Sequence, residues 1–226
     1  MIIMKLVALF SGGKDSTYAI QEVIKQGHEV VFLATVSSEN PESFMFHTIN
    51  IGLTFMQSRC MEIQFVSKRS EGIKEEEIND LEVLLKGLDV EGVVCGAVAS
   101  KYQKERVEKV CKKLGLELIT PLWAKNPEEL LREMVKDGFE IIIVDVAADG
   151  FDESWLGKKI DEKTIDDLKK LNKKYGINMV GEGGEMETFV LDCPLFKRKL
   201  EITEVEKKWE DNRGKYIIKD AKFADK

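Results

Sequence analysis

The sequence predicts an α/β protein, a doubly wound and mostly parallel sheet over residues 1–122 followed by a smaller α+β domain over residues 123–226. Three observations predict it. Short apolar runs alternate with amphipathic stretches as far as Thr120, the pattern of repeated βα units. Past Pro121 that rhythm gives way to two strongly amphipathic helices and a closing pair of strands. Glycine-bearing turns follow the apolar runs, at the strand ends where such sheets hold ligands.

The elements follow in order. Leu6–Phe10 is an apolar strand that runs through Ser11-Gly12-Gly13 into a helix with Ala19, Ile20, Val23 and Ile24 on one face. His28–Thr35 is a second buried strand and Glu62–Val66 a short third one. Glu75–Leu88 is a helix, with Ile78, Leu81, Leu84, Leu85 and Leu88 along one side. The strand Val93–Gly96, the helix Lys101–Leu114 closed by Gly115, and the strand Leu116–Thr120 complete the first domain.

In the second domain, Asn126-Pro127-Glu128-Glu129 opens a helix with an N-cap, a proline in the first turn and acids beside it. Gly138 ends it. Glu140–Ala147 is a strand with Asp145 near its tip, and Asp161–Tyr175 is a second helix. Leu200–Trp209 and Lys215–Phe223 read as two strands joined at Asp211-Asn212-Arg213-Gly214. Ser37–Ser43, around Pro41, is the expected mobile loop. Trp123 and Trp155 read as packing residues, and Lys158-Lys159 and Lys169-Lys170 as solvated helix surface.

Composition narrows the function. With 43% apolar residues the chain is globular, and no run approaches the ~20 apolar residues of a bilayer span. Met1–Lys5 passes straight into the first strand, so no secretory leader and a cytoplasmic location are expected. Lys+Arg total 34 against 41 Asp+Glu, a net charge of −7, which argues against stable nucleic-acid binding. Cys60, Cys95, Cys111 and Cys193 are scattered without a C-x-x-C pair and read as reduced, mostly buried thiols.

The first chemical constellation is Ser11-Gly12-Gly13-Lys14-Asp15-Ser16-Thr17. A strand entering a Gly-Gly turn and then a helix aims backbone N–H groups at one point, an anion site. Lys14 adds a mobile positive charge, and Asp15 is a carboxylate available to Mg²⁺. A helix N-terminus alone contributes at most about 2 kcal/mol toward an anion. A triphosphate on this acidic chain therefore needs N–H groups, Lys14 and Mg²⁺ together. The spacing is neither G-x-x-x-x-G-K-[ST] nor G-x-G-x-x-G. The strand tips at Ala34–Ser37, including Thr35, and at Gly96–Ser100 belong beside it, the latter either a plain loop or a wall of the nucleotide site.

The second constellation is Gly181-Glu182-Gly183-Gly184-Glu185-Met186-Glu187-Thr188, which leads into an apolar strand-like run to Phe196. Three carboxylates on so short a glycine-rich stretch cannot all be buried unpaired. A solvated acidic loop and a site for Mg²⁺ or a cationic substrate both satisfy that requirement.

Ser11–Ser16 resembles the PP-loop of the ATP pyrophosphatase (adenine nucleotide α-hydrolase-like) superfamily. Together with Phe46-His47-Thr48-Ile49-Asn50, Tyr102–Glu108 and Gly181–Phe196, it makes the chain resemble the diphthine–ammonia ligase family along essentially its whole length. The resemblance implies an ATP-dependent amide ligase that completes diphthamide on translation elongation factor 2. Diphthine's carboxylate would attack ATP to give an acyl-adenylate and pyrophosphate, and ammonium would supply the amine that displaces AMP.

On this reading Ser11, Gly12, Gly13, Lys14, Asp15, Ser16, Ala34, Thr35, Gly96 and Ser100 hold ATP, with Mg²⁺ on Asp15. His47, Tyr102, Arg106, Gly183, Gly184 and Thr188 face the substrate, Tyr102 and Arg106 lying one helical turn apart. Lys14 and Asp15 act on the phosphates. Glu182, Glu185 and Glu187 attract the trimethylammonium or ammonium group, or deprotonate the latter. Met186 stands where an aromatic residue is expected from relatives, and the chain is expected to be the ligase core without the extra domains of longer eukaryotic relatives. A homodimer is allowed. The competing readings are another PP-loop adenylating enzyme that modifies tRNA, and a non-catalytic ATP-binding protein.

Overall fold

The computed structural model describes residues 3–38, 49–73 and 76–226. They form two compact units, Met1–Trp123 and Ala124–Lys226. The first holds β1 (Lys5–Leu9), α1 (Lys14–Lys25), β2 (Glu29–Ser38), α2 (Thr54–Met61), β3 (Gln64–Ser70), α3 (Glu76–Leu85), β4 (Gly92–Val94), α4 (Lys101–Leu114) and β5 (Glu117–Ile119). Its five strands lie in the order β3-β2-β1-β4-β5, with every neighbouring pair parallel. Successive strands run outward from β1 in one direction and from β4 in the other. The topological switch point therefore falls between β1 and β4, where the crevice of an open α/β sheet opens.

Alternation along the strands places the layers. Val7, Ala34, Val36, Val93 and Cys95 join Leu81, Leu85, Val107, Val110 and Cys111 in one core beneath α3 and α4. The intervening Leu6, Ala8 and Leu33 are fully buried on the opposite face. Trp123 packs half-buried against the first core, with Lys104 Nζ 4.1 Å from its ring centre.

The second unit contains α5 (Pro127–Lys136), β6 (Glu140–Val146), α6 (Glu162–Tyr175), β7 (Met186–Asp192), β8 (Lys199–Glu210) and β9 (Arg213–Ala224). Its sheet has the order β7-β6-β9-β8 and is antiparallel throughout. Ile141–Val144 of β6 are all buried, so both faces of this inner strand are covered, which accounts for its nearly unbroken apolar run. Leu130, Leu131 and Met134 of α5 and Ile165 and Leu168 of α6 supply buried helix faces. Asn126 and Asp161 cap the two helices through their side chains, as the residue types require.

Several element boundaries differ from the sequence expectation. The expected join at 211–214 is a two-residue turn, Asp211 and Asn212, both at positive φ, so the strands run on to Glu210 and start at Arg213. β7 begins two residues before Thr188 and ends at Asp192, because Pro194 lacks the N–H a strand would need and Cys193–Phe196 form a turn. α2 was not expected at all. Its buried side is polar, with Thr54, Gln57 and Ser58 inside beside Cys60 and Met61, so it shows no apolar stripe. All four cysteines are buried and outside any disulfide, and burial pushes the thiols of Cys111 and Cys193 up to about 12.

Candidate functional site

In the first unit the loop after β1 is the candidate anion site. Gly13 is the N-cap of α1 and offers no side chain to its first N–H groups, whereas Ser100 caps α4. The loop's carbonyls are turned back. Gly13 O accepts from Ser16 Oγ at 3.1 Å and from Thr17 Oγ1 at 2.8 Å, and Gly12 O accepts from Gln57 Nε2 at 2.9 Å. Its N–H groups point inward: that of Ser11 to Ser16 Oγ at 3.3 Å and that of Gly13 to Ser11 Oγ at 3.4 Å. Only glycine suits position 12, where φ is +78° and a Cβ would strike the Gln57 amide and lie 3.2 Å from Thr54 Cγ2.

Lys14 is 2% exposed, and its Nζ lies 2.8 Å from Asp15 Oδ2. The other oxygen, Asp15 Oδ1, is buried and has no hydrogen-bond partner among the described residues. A hard carboxylate oxygen held in that way fits Mg²⁺, which takes one or two carboxylates and completes its shell with water and phosphate. Among the described residues no three His, Cys, Asp or Glu side chains gather into a metal cage.

The neighbouring strand tips close on this loop. Phe10 N–H donates to Ala34 O at 2.9 Å, and Thr35 Oγ1 donates to Phe10 O at 2.6 Å, so the buried Ala34 and Thr35 are stitched to the end of β1. A Cβ on Gly96 would lie 2.8 Å from the carbonyl carbon and oxygen of Asp15 and from Ser16 N. The chain beyond β4 therefore lies directly against the first turn of α1. Ser100 Oγ is engaged as a helix cap, accepting from Gln103 N–H at 3.4 Å. Along α4 the guanidinium of Arg106 stacks 3.5 Å from the ring centre of Tyr102, so the two expected partners meet as a cation–π pair. His47 lies outside the described residues.

In the second unit the glycine-rich stretch is a self-folded turn ahead of β7. Glu185 is its clamp: Oε1 accepts from Asn178 N–H at 2.9 Å and Oε2 from Gly183 N–H at 2.8 Å. Gly184 N–H closes on Gly181 O at 3.0 Å. Gly181 has φ +80° and abuts Met186 O, leaving no room for a side chain. Glu182 lies half-buried on the turn, and Thr188 is buried in β7. Glu187, half-buried, stands opposite Asp145 of β6, which in turn pairs with Lys215 of β9. The three glutamates thus occupy three different settings rather than one cluster.

Sequence reasoning missed Gln57 and left Asp145 as only a strand-tip residue. For Gln57 the signal was slight, a glutamine among the polar residues of a stretch without apolar periodicity. For Asp145 it was clearer: an acid inside an otherwise apolar strand.

Comparison with known proteins identifies the family of the chain. Residues 4–118 match the family model described as the diphthamide synthase N-terminal domain, and residues 126–223 match the diphthamide synthase C-terminal domain. The rat protein named diphthine–ammonia ligase is 40% identical over 222 residues, covering 88% of this chain and 83% of its own. Its human counterpart is 39% identical over 220 residues, covering 87% and 82%. The fission yeast protein of that name is 38% identical over 90% of this chain, which spans 37% of that longer relative. With both domains matched in order and relatives this similar along most of their length, the chain belongs to the diphthine–ammonia ligase family and is a ligase.

Proposed function

We propose that this ligase converts diphthine to diphthamide on translation elongation factor 2, by way of an acyl-adenylate, using ATP and ammonium. The observation that carries the reading is the loop after β1. Gly12 O and Gly13 O are both tied down behind it, its N–H groups face inward, and Lys14 and Asp15 stand at its rim. Carbonyl dipoles so withdrawn leave a field that favours phosphate.

In this reading the first unit binds ATP through Ser11–Ser16, Ala34, Thr35 and Gly96. Lys14 stabilises charge on the phosphates as the diphthine carboxylate attacks the α-phosphorus and pyrophosphate leaves. Mg²⁺, held on Asp15, would supply charge neutralisation and alignment of the phosphates. The second unit recognises the cationic reactants: Glu187 and Glu182 attract the trimethylammonium or ammonium group, while Glu185 keeps the turn in shape through its two backbone N–H bonds. Ammonium gives up a proton to Glu182 or Glu187, the ammonia so formed attacks the acyl carbon, AMP leaves with the former carboxylate oxygen, and the nitrogen loses a second proton to leave the amide. Tyr102, Arg106 and His47 are assigned to substrate. The proposed site of action is the cytoplasm. Among the described residues no helix is long and apolar enough to cross a membrane.

Product analysis with α-labelled ATP tests this. AMP and pyrophosphate formed only when diphthine-bearing factor and ammonium are both present support the reading. ADP as product, or ATP bound and returned intact, overturns it.

A further inference from the structure

We infer that Gln57 is a positioning residue of the phosphate loop, setting from behind the direction in which the Gly12–Gly13 peptide presents its N–H. Gln57 is fully buried on α2, an element 45 residues along the chain from the loop it touches. Its Nε2 donates to Gly12 O at 2.9 Å. A trans peptide carries its C=O and N–H in opposite directions. Holding Gly12 O toward α2 therefore directs the N–H of Gly13 the other way, where it now meets Ser11 Oγ at 3.4 Å.

The remaining geometry agrees. The Gln57 amide fills the space that a Cβ on Gly12 would take, so the left-handed turn at φ +78° and the glutamine are fitted to each other. Thr54, one helical turn earlier, packs its methyl against the same position. The next carbonyl, Gly13 O, is withdrawn by hydroxyls of α1 itself, Ser16 Oγ and Thr17 Oγ1. Gln57 performs the same service for the one neighbouring carbonyl that α1 leaves to another element. Freed from it, the Gly12–Gly13 peptide can rotate and turn its carbonyl oxygen, a repulsive dipole, toward a bound phosphate.

This inference rests on the assignment of the loop to ATP. It separates cleanly from that assignment because it concerns the phosphate end alone. The variants are Gln57→Met, which keeps length and removes the donor, and Gln57→Glu, which puts an acceptor-only carboxylate against Gly12 O. Binding of ATP, pyrophosphate and adenosine to the full chain is measured by calorimetry, with the melting temperature recorded for each variant.

Losing one neutral hydrogen bond amounts to about three- to tenfold in affinity. The expected result is a loss of that size for ATP and pyrophosphate in Gln57→Met, a larger loss in Gln57→Glu, and adenosine binding unchanged in both. If either variant fails to fold, the other carries the comparison. Pyrophosphate binding equal to that of the unaltered chain, or equal losses for adenosine and pyrophosphate, overturns the inference. An unaltered chain that binds no ATP overturns the assignment of the loop itself.

Discussion

Glu187 on β7 stands directly opposite Asp145 on β6, and Lys215 on β9 continues the same row. Residues paired in this way carry their Cβ atoms roughly 4.5–5.5 Å apart. Two acids on facing strand positions disfavour each other unless a cation lies beside them, and Lys215 supplies such a charge opposite Asp145. On the proposed function, Glu187→Gln and Asp145→Asn should each raise the KM for ammonium or for the diphthine-bearing factor. Loss of a hydrogen bond to a charged group corresponds to about ten- to a hundredfold. Steady-state kinetics with each reactant varied decides it, and two unchanged KM values in both variants would remove the row from the reaction.

Glu185 should behave differently from its neighbours. Its two oxygens accept from Asn178 and Gly183 N–H groups, and glutamine offers only one acceptor in their place. Glu185→Gln should therefore cost about 1–3 kcal/mol of stability by leaving one N–H against an NH₂ group. Hydrogen exchange should quicken at 178–184, while Glu182→Gln leaves exchange there unchanged. Equal protection in the two variants would contradict the clamp.

Asp15 presents one oxygen to Lys14 and keeps the other buried without a hydrogen-bond partner among the described residues. Loss of an outer partner of a metal ligand already costs about 10–100-fold in affinity. Asp15→Asn should raise the Mg²⁺ concentration for half-maximal ligation by about tenfold or more. A Mg²⁺ titration curve that does not move would show that the metal is held elsewhere.

The second unit should be acid-sensitive for a definable reason. The Thr164 N–H and hydroxyl hold the Asp161 cap below the usual carboxylate range, and Lys169 and then Arg132 do the same for Glu128. Unfolded, such groups titrate near their ordinary values of roughly 3.9 and 4.3. The folded chain binds fewer protons there, so their contribution is present above about pH 5 and is lost as pH falls through the lowered folded values. Urea midpoints at pH 7, 4 and 3 should fall steadily. Asp161→Asn, which still caps but cannot ionise, should flatten part of that slope. An unchanged slope would mean that Asp161 titrates alike in both states.

What was legible in the sequence was whatever carries a period or a stop. The parallel sheet followed from Leu6–Phe10, Val93–Gly96 and the helix stripes between them, and the loop after β1 from two glycines at a strand end. Asn126 announced its helix because an N-cap is a local hydrogen bond, and the helix after Asp161 was marked by its apolar spacing. α2 was illegible because it buries the polar Thr54, Gln57 and Ser58, of which Gln57 bonds to Gly12 O and the two hydroxyls bond to carbonyls three residues back, so no apolar stripe marks the helix. The split roles of Glu182, Glu185 and Glu187 were equally hidden. They depend on which backbone N–H groups fold back toward Glu185 and on the strand register that sets Glu187 against Asp145.

In the proposed reaction ATP activates the carboxylate of diphthine as an acyl-adenylate. Factor whose diphthine carboxyl carries oxygen-18 tests it most directly, with ATP, Mg²⁺ and ammonium present. An acyl-adenylate leaves oxygen-18 in the phosphate of AMP, with one labelled oxygen lost for each amide formed. Label in inorganic phosphate alongside ADP, or amide formed without label reaching AMP, would contradict it.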